Sequence, residues 1–421
     1  FLFVKAGLVY NFKIMNVLLI IMDGLGDRPI EELGWKTPLE AAKKPNLNAL
    51  AKNGVNGVMH SVGASVRPGS DTSHLAILGY DPRVYYSGRG PFEALGAEMD
   101  VDPGDVALRV NLGTVDDDLK ILDRRAGRID NIAPLLTDLN DMVIEGVRFC
   151  LKEGVSHRAA LVLKGAKISS DISEGDPHLE GVVVNQIKAL KNTAAAKKTA
   201  RVLNLFLRQA HAVLAKHPLN QERIKKNLLP ANYLLVRGAG TLAHFESFAE
   251  KYGFARSCCL AGGKLYKGIA KTMGMDIINV PGATGKANTN LDGKIKKAME
   301  MLSVYNFVFL HIKATDSFGE DGDFKGKKEF IEKIDRAMRP LLELKHTLIV
   351  ITADHSTPCA LKAHSGDPVP LTIAGPGVRT DACFKFEERE CAEKGSLGRI
   401  TGLDLMPEIL NLIGKTPLYG A

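Results

Sequence analysis

The sequence predicts a layered α/β protein with a smaller domain inserted into it, on three observations. Short, wholly apolar runs alternate with amphipathic helical patterns. Three of those runs lead into an acidic residue or an Asp-His pair. The middle of the chain changes character and separates the first of these runs from the other two.

Asn16–Met22 (NVLLIIM) runs into Asp23-Gly24, Phe307–Ile312 (FVFLHI) leads to Asp316, and Thr347–Thr352 (TLIVIT) leads to Asp354-His355. Unbroken apolar runs of this length read as strands of a parallel sheet covered on both faces. Open α/β sheets gather their functional groups beyond the C-terminal strand ends. Pro45–Asn53 reads as a short helix, opened by proline and stopped at Gly54. Lys327–Leu342 reads as an amphipathic helix with Phe330, Ile331, Ile334, Met338 and Leu341 apolar. From 101 to 240 the chain carries the acidic turn Asp116–Asp118, an arginine-rich stretch at Asp123–Arg128 and a Lys/Ala-rich helical region at Asn185–Lys216. The expected organisation is a discontinuous domain, 15–100 with 241–421, interrupted by 101–240 and preceded by an extension, 1–14.

At 421 residues and 45% apolar composition the chain can bury a large core, and 24% charged residues argue against global disorder. The formal charge of +7 suits a small anionic substrate. The lysine clusters, such as Lys294, Lys296 and Lys297, have no interleaved aromatic residues, so no nucleic-acid platform is expected. None of the six cysteines forms a C-x-x-C pair, which excludes a zinc finger and fits a reducing compartment. No uninterrupted apolar run reaches membrane-spanning length, so a cytoplasmic protein without membrane partners is expected.

Three groups of residues can carry chemistry. Asp23-Gly24 is by itself also an ordinary turn. Ser70 follows Pro68-Gly69 and precedes an apolar run, which places it at a helix N-terminus. There it is either a cap or a nucleophile whose phosphate would meet free backbone N–H groups. Asp354, His355 and His364, with Asp316 at another strand end, form a mixed N/O set suited to zinc or manganese. A weak dinucleotide-like pattern, Gly238-Ala239-Gly240-Thr241-Leu242-Ala243, follows Tyr233–Arg237 but leaves the Asp/His set unexplained.

Taken together, the motifs resemble those of the cofactor-independent phosphoglycerate mutases, archaeal-type branch, within the alkaline phosphatase superfamily. The matching segments include NVLLIIMDGLGDRP (16–29), PGSDTSHLAILGYDP (68–82), SGRGPFEALGA (87–97), DRRAGRI (123–129), ISEGDPH (172–178), PANYLLVRGAG (230–240), HIKATDSFGEDGD (311–323), TADHSTP (352–358) and AHSGDPVPL (363–371). The resemblance implies an alkaline-phosphatase-like domain with an inserted substrate or lid domain, and two divalent ions, manganese first, with zinc, cobalt or magnesium as alternatives. It implies Ser70 as nucleophile, Asp23, Ser70, Asp354 and His355 around one ion, and Asp316 and His364 around the other. Glu320 stands where the family has a histidine ligand, and a carboxylate there favours harder ions. Substrate contacts are implied for Arg124, Arg128, Asp176, His178 and Arg237, and for Lys251 and Lys313. The implied reaction is interconversion of 3- and 2-phosphoglycerate through a phosphoserine. Another metal-dependent phosphatase or phosphomutase, or a weakened phosphoglycerate-binding homologue, is the alternative.

Overall fold

The three apolar runs become the centre of one sheet. The structure is a computed structural model that describes residues 15–420; the extension expected over 1–14 lies outside the described residues. In chain order the strands are β1 Asn16–Met22, β2 Gly54–His60, β3 Val106–Val115, β4 Ile121–Asp123, β5 Met142–Ile144, β6 Val147–Glu153, β7 Arg158–Lys164, β8 Tyr233–Gly240, β9 Ser257–Leu260, β10 Asp276–Ile277, β11 Phe307–Ile312, β12 Thr347–Thr352, β13 Val369–Ala374 and β14 Gly398–Thr401. They divide between two compact units, each with its own sheet.

Among the described residues the first unit comprises 15–82, Ser247–Gly262 and 274–420. Its sheet has the order β10-β9-β11-β1-β12-β13-β2-β14. β1 pairs in parallel with both β11 and β12, with Ile21 opposite His311 on one side and Thr352 on the other. Their C-terminal ends are therefore level. β13 runs antiparallel to β12 and to β2. That reversal brings the loop before β13 and the loop after β2 to the same edge. Every residue of β11 and β12 is buried, as is β1 apart from its first residue. Burial on both faces explains why these strands lack polar alternation.

The helix expected at Lys327 starts earlier, at Phe324, where the Asp323 side chain accepts from Gly326 N at 2.8 Å, and ends at Met338. Arg339–Glu343 continues it as a 3₁₀ turn containing Pro340, whose ring cannot sit in an α-helical interior. The helix Pro45–Lys52 matches its expected span to within one residue.

The second unit comprises Arg83–Glu246 and Gly263–Met273, so it takes in residues on both sides of the 101–240 segment. The helix Gly90–Gly96 lies against β3 and against the helix Lys264–Thr272. Glycines allow that approach: a Cβ on Gly96 would meet Lys264 O at 1.9 Å, and one on Gly268 would meet Phe92 O at 1.8 Å.

This unit's sheet runs β4-β3-β7-β6-β5, with β8 also paired to β3, and all its pairings are antiparallel. One long helix, Ala194–Lys216, packs on it through Val202, Leu203, Phe206, Leu207, Ala210 and Leu214. The helix begins later than the composition suggests. Asn204 binds both Ile187 N at 3.0 Å and Ile187 O at 2.8 Å, so that segment runs alongside the helix instead of extending it. Thr193 caps its start, and Pro218 holds His217 extended at its end. Both glycines of the dinucleotide-like pattern lie within β8, and the next helix starts only at Phe248, so no phosphate-binding strand–turn–helix forms there.

Phe206 stacks on Phe149 of β6 with ring centroids 4.2 Å apart, both fully buried. Phe206→Ala should destabilise the protein by about 3–5 kcal/mol, read from denaturant unfolding.

Candidate metal centre

The shared sheet edge gathers the Asp and His residues. Asp23 follows β1, Asp354 and His355 follow β12, and Asp316 lies in the first turn of the helix Ala314–Asp321 after β11. His364 precedes β13, and Ser70 opens the helix Ser70–Ile77 after β2. Two groups of ligand atoms result, each within 4.8 Å: Asp23, Asp354 and His355, and Asp316, His355 and His364. His355 stacks on His364 with ring centroids 3.6 Å apart. Ser70 Oγ lies 3.3 Å from His355 Nε2, and Ser70 is 4% exposed. The expected nucleophile therefore adjoins the histidine that the two groups share.

The loops are held by specific bonds. Asp354 Oδ1 accepts from Gly24 N at 3.0 Å and from His355 N at 3.0 Å. His364 Nδ1 lies 2.8 Å from Pro68 O, which ties the loop before β13 to the loop that presents Ser70. Thr357 donates to Asp316 Oδ1 at 2.6 Å and sits 3.1 Å from His355 Nδ1. Gly24 has a φ of +62°, and a Cβ there would meet Asp316 Cβ and Thr357 Oγ1 at 2.6 Å each. The Asp23-Gly24 pair is thus more than a turn: glycine lets two ligand-bearing loops touch.

Burial disfavours the charge on Asp23, but Lys313, His311 and His355 outweigh it and hold its carboxyl well below the usual range. For His355 burial again opposes charge, and Asp354, Asp23 and Asp316 overcome it, pushing the imidazole up to about 9. Burial pushes His311 down to about 4, so its neutral ring donates from Nε2 to Asp23 Oδ2 at 3.0 Å. Lys313 Nζ reaches Asp23 at 3.1 Å and also Asp316, a cation between carboxylates of the two groups. Asp354 Oδ2 is buried, and it faces His355 Nε2 at 3.2 Å without a well-aligned hydrogen bond. A buried carboxylate oxygen whose nearest partner, His355, is itself a candidate ligand, within a mixed oxygen and imidazole set, fits a divalent ion.

Other expected residues fall elsewhere. Glu320 is exposed on the last turn of its helix, where Gly319 and not Glu320 faces Thr357, and it takes part in neither group. Lys251 stands over the rings of Tyr80 and Tyr252, 5.2 and 5.6 Å from their centroids. In the second unit Arg124 grips buried Asp176 with two bonds, 3.0 and 2.6 Å. Arg237 Nη1 lies 3.1 Å from His178 Nδ1 and 3.6 Å from Asp176. Arg124, Arg128 and His178 line an open pocket of about 440 Å³. No motif in the sequence gives a role to His311 or Thr357. A histidine inside the otherwise apolar FVFLHI was the available signal.

A model of the Metalloenzyme superfamily matches residues 15–412. The 2,3-bisphosphoglycerate-independent phosphoglycerate mutase 1 of Archaeoglobus fulgidus is 49% identical, over 97% of this chain and 100% of that one. The chain belongs to this mutase family. A Thermoplasma volcanium relative of the same name is 46% identical over 97% of this chain and 99% of its own. Among solved structures, a Pyrococcus horikoshii protein matches with a TM-score of 0.84 at 39% identity, over 97% of this chain and 99% of its own. The cofactor-independent phosphoglycerate mutase of Thermoplasma acidophilum matches with a TM-score of 0.70 at 41% identity, over 95% and 100%. All are archaeal relatives of near-equal length, as the motif resemblance implied. Among the described residues no helix is long and apolar enough to cross a membrane.

Two expectations follow from this geometry. Gly24→Ala should weaken binding of divalent ions while leaving the far-ultraviolet circular dichroism unchanged, as checked by manganese titration. A metal ligand must shed its proton, so manganese affinity of chelator-treated protein should rise with pH up to about 9, where His355 deprotonates. In the ion-free protein the same raised value contributes stability that is full below about 6.5 and lost as pH rises through about 9. Thermal melts across that range check the sign, and His355→Gln should flatten both profiles.

Proposed function

We propose that this chain is an isomerase that interconverts 3-phosphoglycerate and 2-phosphoglycerate without 2,3-bisphosphoglycerate, in glycolysis and gluconeogenesis, by way of a phosphoserine on Ser70. The observation that carries the reading is Ser70 Oγ at 3.3 Å from His355 Nε2, beside buried Asp23 and Asp354, in a chain related over its length to enzymes of that name.

The Asp23 group with Ser70, and the Asp316 group with His364, would hold two divalent ions, manganese before zinc, cobalt or magnesium. When bound, such ions supply Lewis-acid charge to the phosphoryl oxygens and favour the alkoxide of serine. The remaining work falls to the chain. Ser70 forms a bond to phosphorus as the bond from phosphorus to the glycerate oxygen breaks. Glycerate stays bound, turns, and takes the phosphoryl group back on its other hydroxyl. The position of Ser70 in the first turn of its helix directs backbone N–H groups towards the transferred group. Arg124, Arg128, Arg237, Asp176 and His178 of the inserted unit are the proposed anchors of the trianion, and that unit serves as substrate and lid domain. Lys313 is available to the anion once ions take over the charge of Asp23 and Asp316.

Ser70→Ala should reduce mutase activity below about one-thousandth of the parent in an assay coupled to enolase. The backbone should stay folded, because Gly69 and not Ser70 occupies the cap position. Quenching the parent enzyme in turnover should trap phosphate on Ser70. Release of inorganic phosphate and glycerate in place of 2-phosphoglycerate would instead make the chain a phosphatase.

A further inference from the structure

The helix Phe324–Met338 turns one face inward through Phe330, Ile331, Ile334 and Met338. Lys327 lies on the same face, one turn before Ile331, and is 0% exposed. A lysine in a core-facing position costs stability that an apolar residue would not, unless its charge and all its donors are satisfied. Here they are. Lys327 Nζ donates to Asp27 Oδ2 at 2.8 Å, to Thr357 O at 3.0 Å and to Gly26 O at 3.1 Å. An ammonium has three N–H donors, and all three are used.

The acceptors come from two loops. Gly26 and Asp27 follow Asp23 after β1, and Thr357 follows Asp354 and His355 after β12. Asp27 adds a second link, since its carboxylate also accepts from Cys359 N at 3.1 Å. Thr357 N donates to Gly26 O at 3.0 Å, so the two loops are in direct contact where the lysine enters. The Thr357 hydroxyl is in turn bonded to Asp316 and lies beside His355 Nδ1.

We infer that Lys327 is a positioning residue for the metal centre: from outside both ligand groups it fixes the separation of the loops that carry Asp23 and Asp354-His355, and it sets Thr357 against Asp316 and His355. Glu388 steadies the same loop from the other side, accepting from Asp27 N at 3.2 Å. Metal affinity falls steeply when ligands must be reorganised on binding, and removal of outer-shell partners costs about 10–100-fold. The inference rests on the reading of this edge as a metal centre.

Manganese titration by calorimetry on the full chain tests it, with folding checked by circular dichroism. Lys327→Met keeps the length of the side chain and removes the donors. It should weaken manganese binding by about 10–100-fold. Ile334→Ala, on the same face of the same helix but away from both loops, should destabilise the fold and keep manganese affinity within about threefold of the parent. Equal affinity in Lys327→Met and the parent would overturn the inference and leave the metal centre standing. An equal loss in Ile334→Ala would also overturn it, by reducing Lys327 to general stability. A parent that binds no manganese would defeat the metal reading itself. Should Lys327→Met fail to fold, Asp27→Asn decides by the same titration. It retains an acceptor but weakens the ion pair, and an affinity no lower than the parent's would overturn the inference.

Discussion

Asp23, Asp316 and Asp354 are three buried carboxylates brought to one sheet edge, and the surrounding structure answers the repulsion between them. Two unit charges about 4 Å apart cost roughly 4 kcal/mol near a protein surface. Lys313 reaches two of the three, His355 carries positive charge among them, and His311 donates to Asp23 from behind. Each of these groups is itself fixed by strand register or by a loop bond. The level ends of β11, β1 and β12 are thus an electrostatic arrangement as much as a packing one.

The strands at the sheet centre were legible because burial on both faces writes itself as an unbroken apolar run. Asp23, Asp354, His355 and Asp316 were legible because they follow such runs. His364 and Ser70 were not derivable in the same way, since they reach the edge through the antiparallel turn of β13 and β2, which no local pattern announces. Local context marked them as candidates, a serine after Pro68-Gly69 and a second histidine beyond Asp354-His355, and motif resemblance supplied their roles. His311, Thr357 and Lys327 escaped assignment. A polar residue on an apolar face betrays burial but not its partner, and those partners lie far away in sequence. The helical composition of Asn185–Thr193 misled because it ignores the Asn204 side chain, which captures Ile187.

The inserted unit follows other physics. Its sheet is wholly antiparallel, and the long helix Ala194–Lys216 packs on it together with shorter helices. Its arginines are oriented by acid partners: Arg124 holds Asp176 bidentately, and Arg237 shares His178 with it. Fork-to-fork pairing fixes a guanidinium plane as a single lysine contact cannot. His178 adopts a φ of 62°, an uncommon conformation for a non-glycine residue, and Asp176 accepts its backbone N–H at 2.9 Å.

The place of β1 in its sheet has a consequence for the order in which the chain becomes a protein. Both neighbours of this strand, β11 and β12, are encoded beyond residue 306, while β1 itself ends at Met22. During synthesis NVLLIIM therefore emerges with no partner strand. All of Arg83–Glu246 is made before the first of its neighbours appears. The antiparallel sheet, its pairings confined to that continuous segment, can close meanwhile. The central sheet must wait for the C-terminal third of the chain, and its long loop closures make that step the slow one. An apolar strand left waiting is a target for aggregation or for a chaperone, so the register that aligns the carboxylates also sets the period of greatest exposure for the nascent chain.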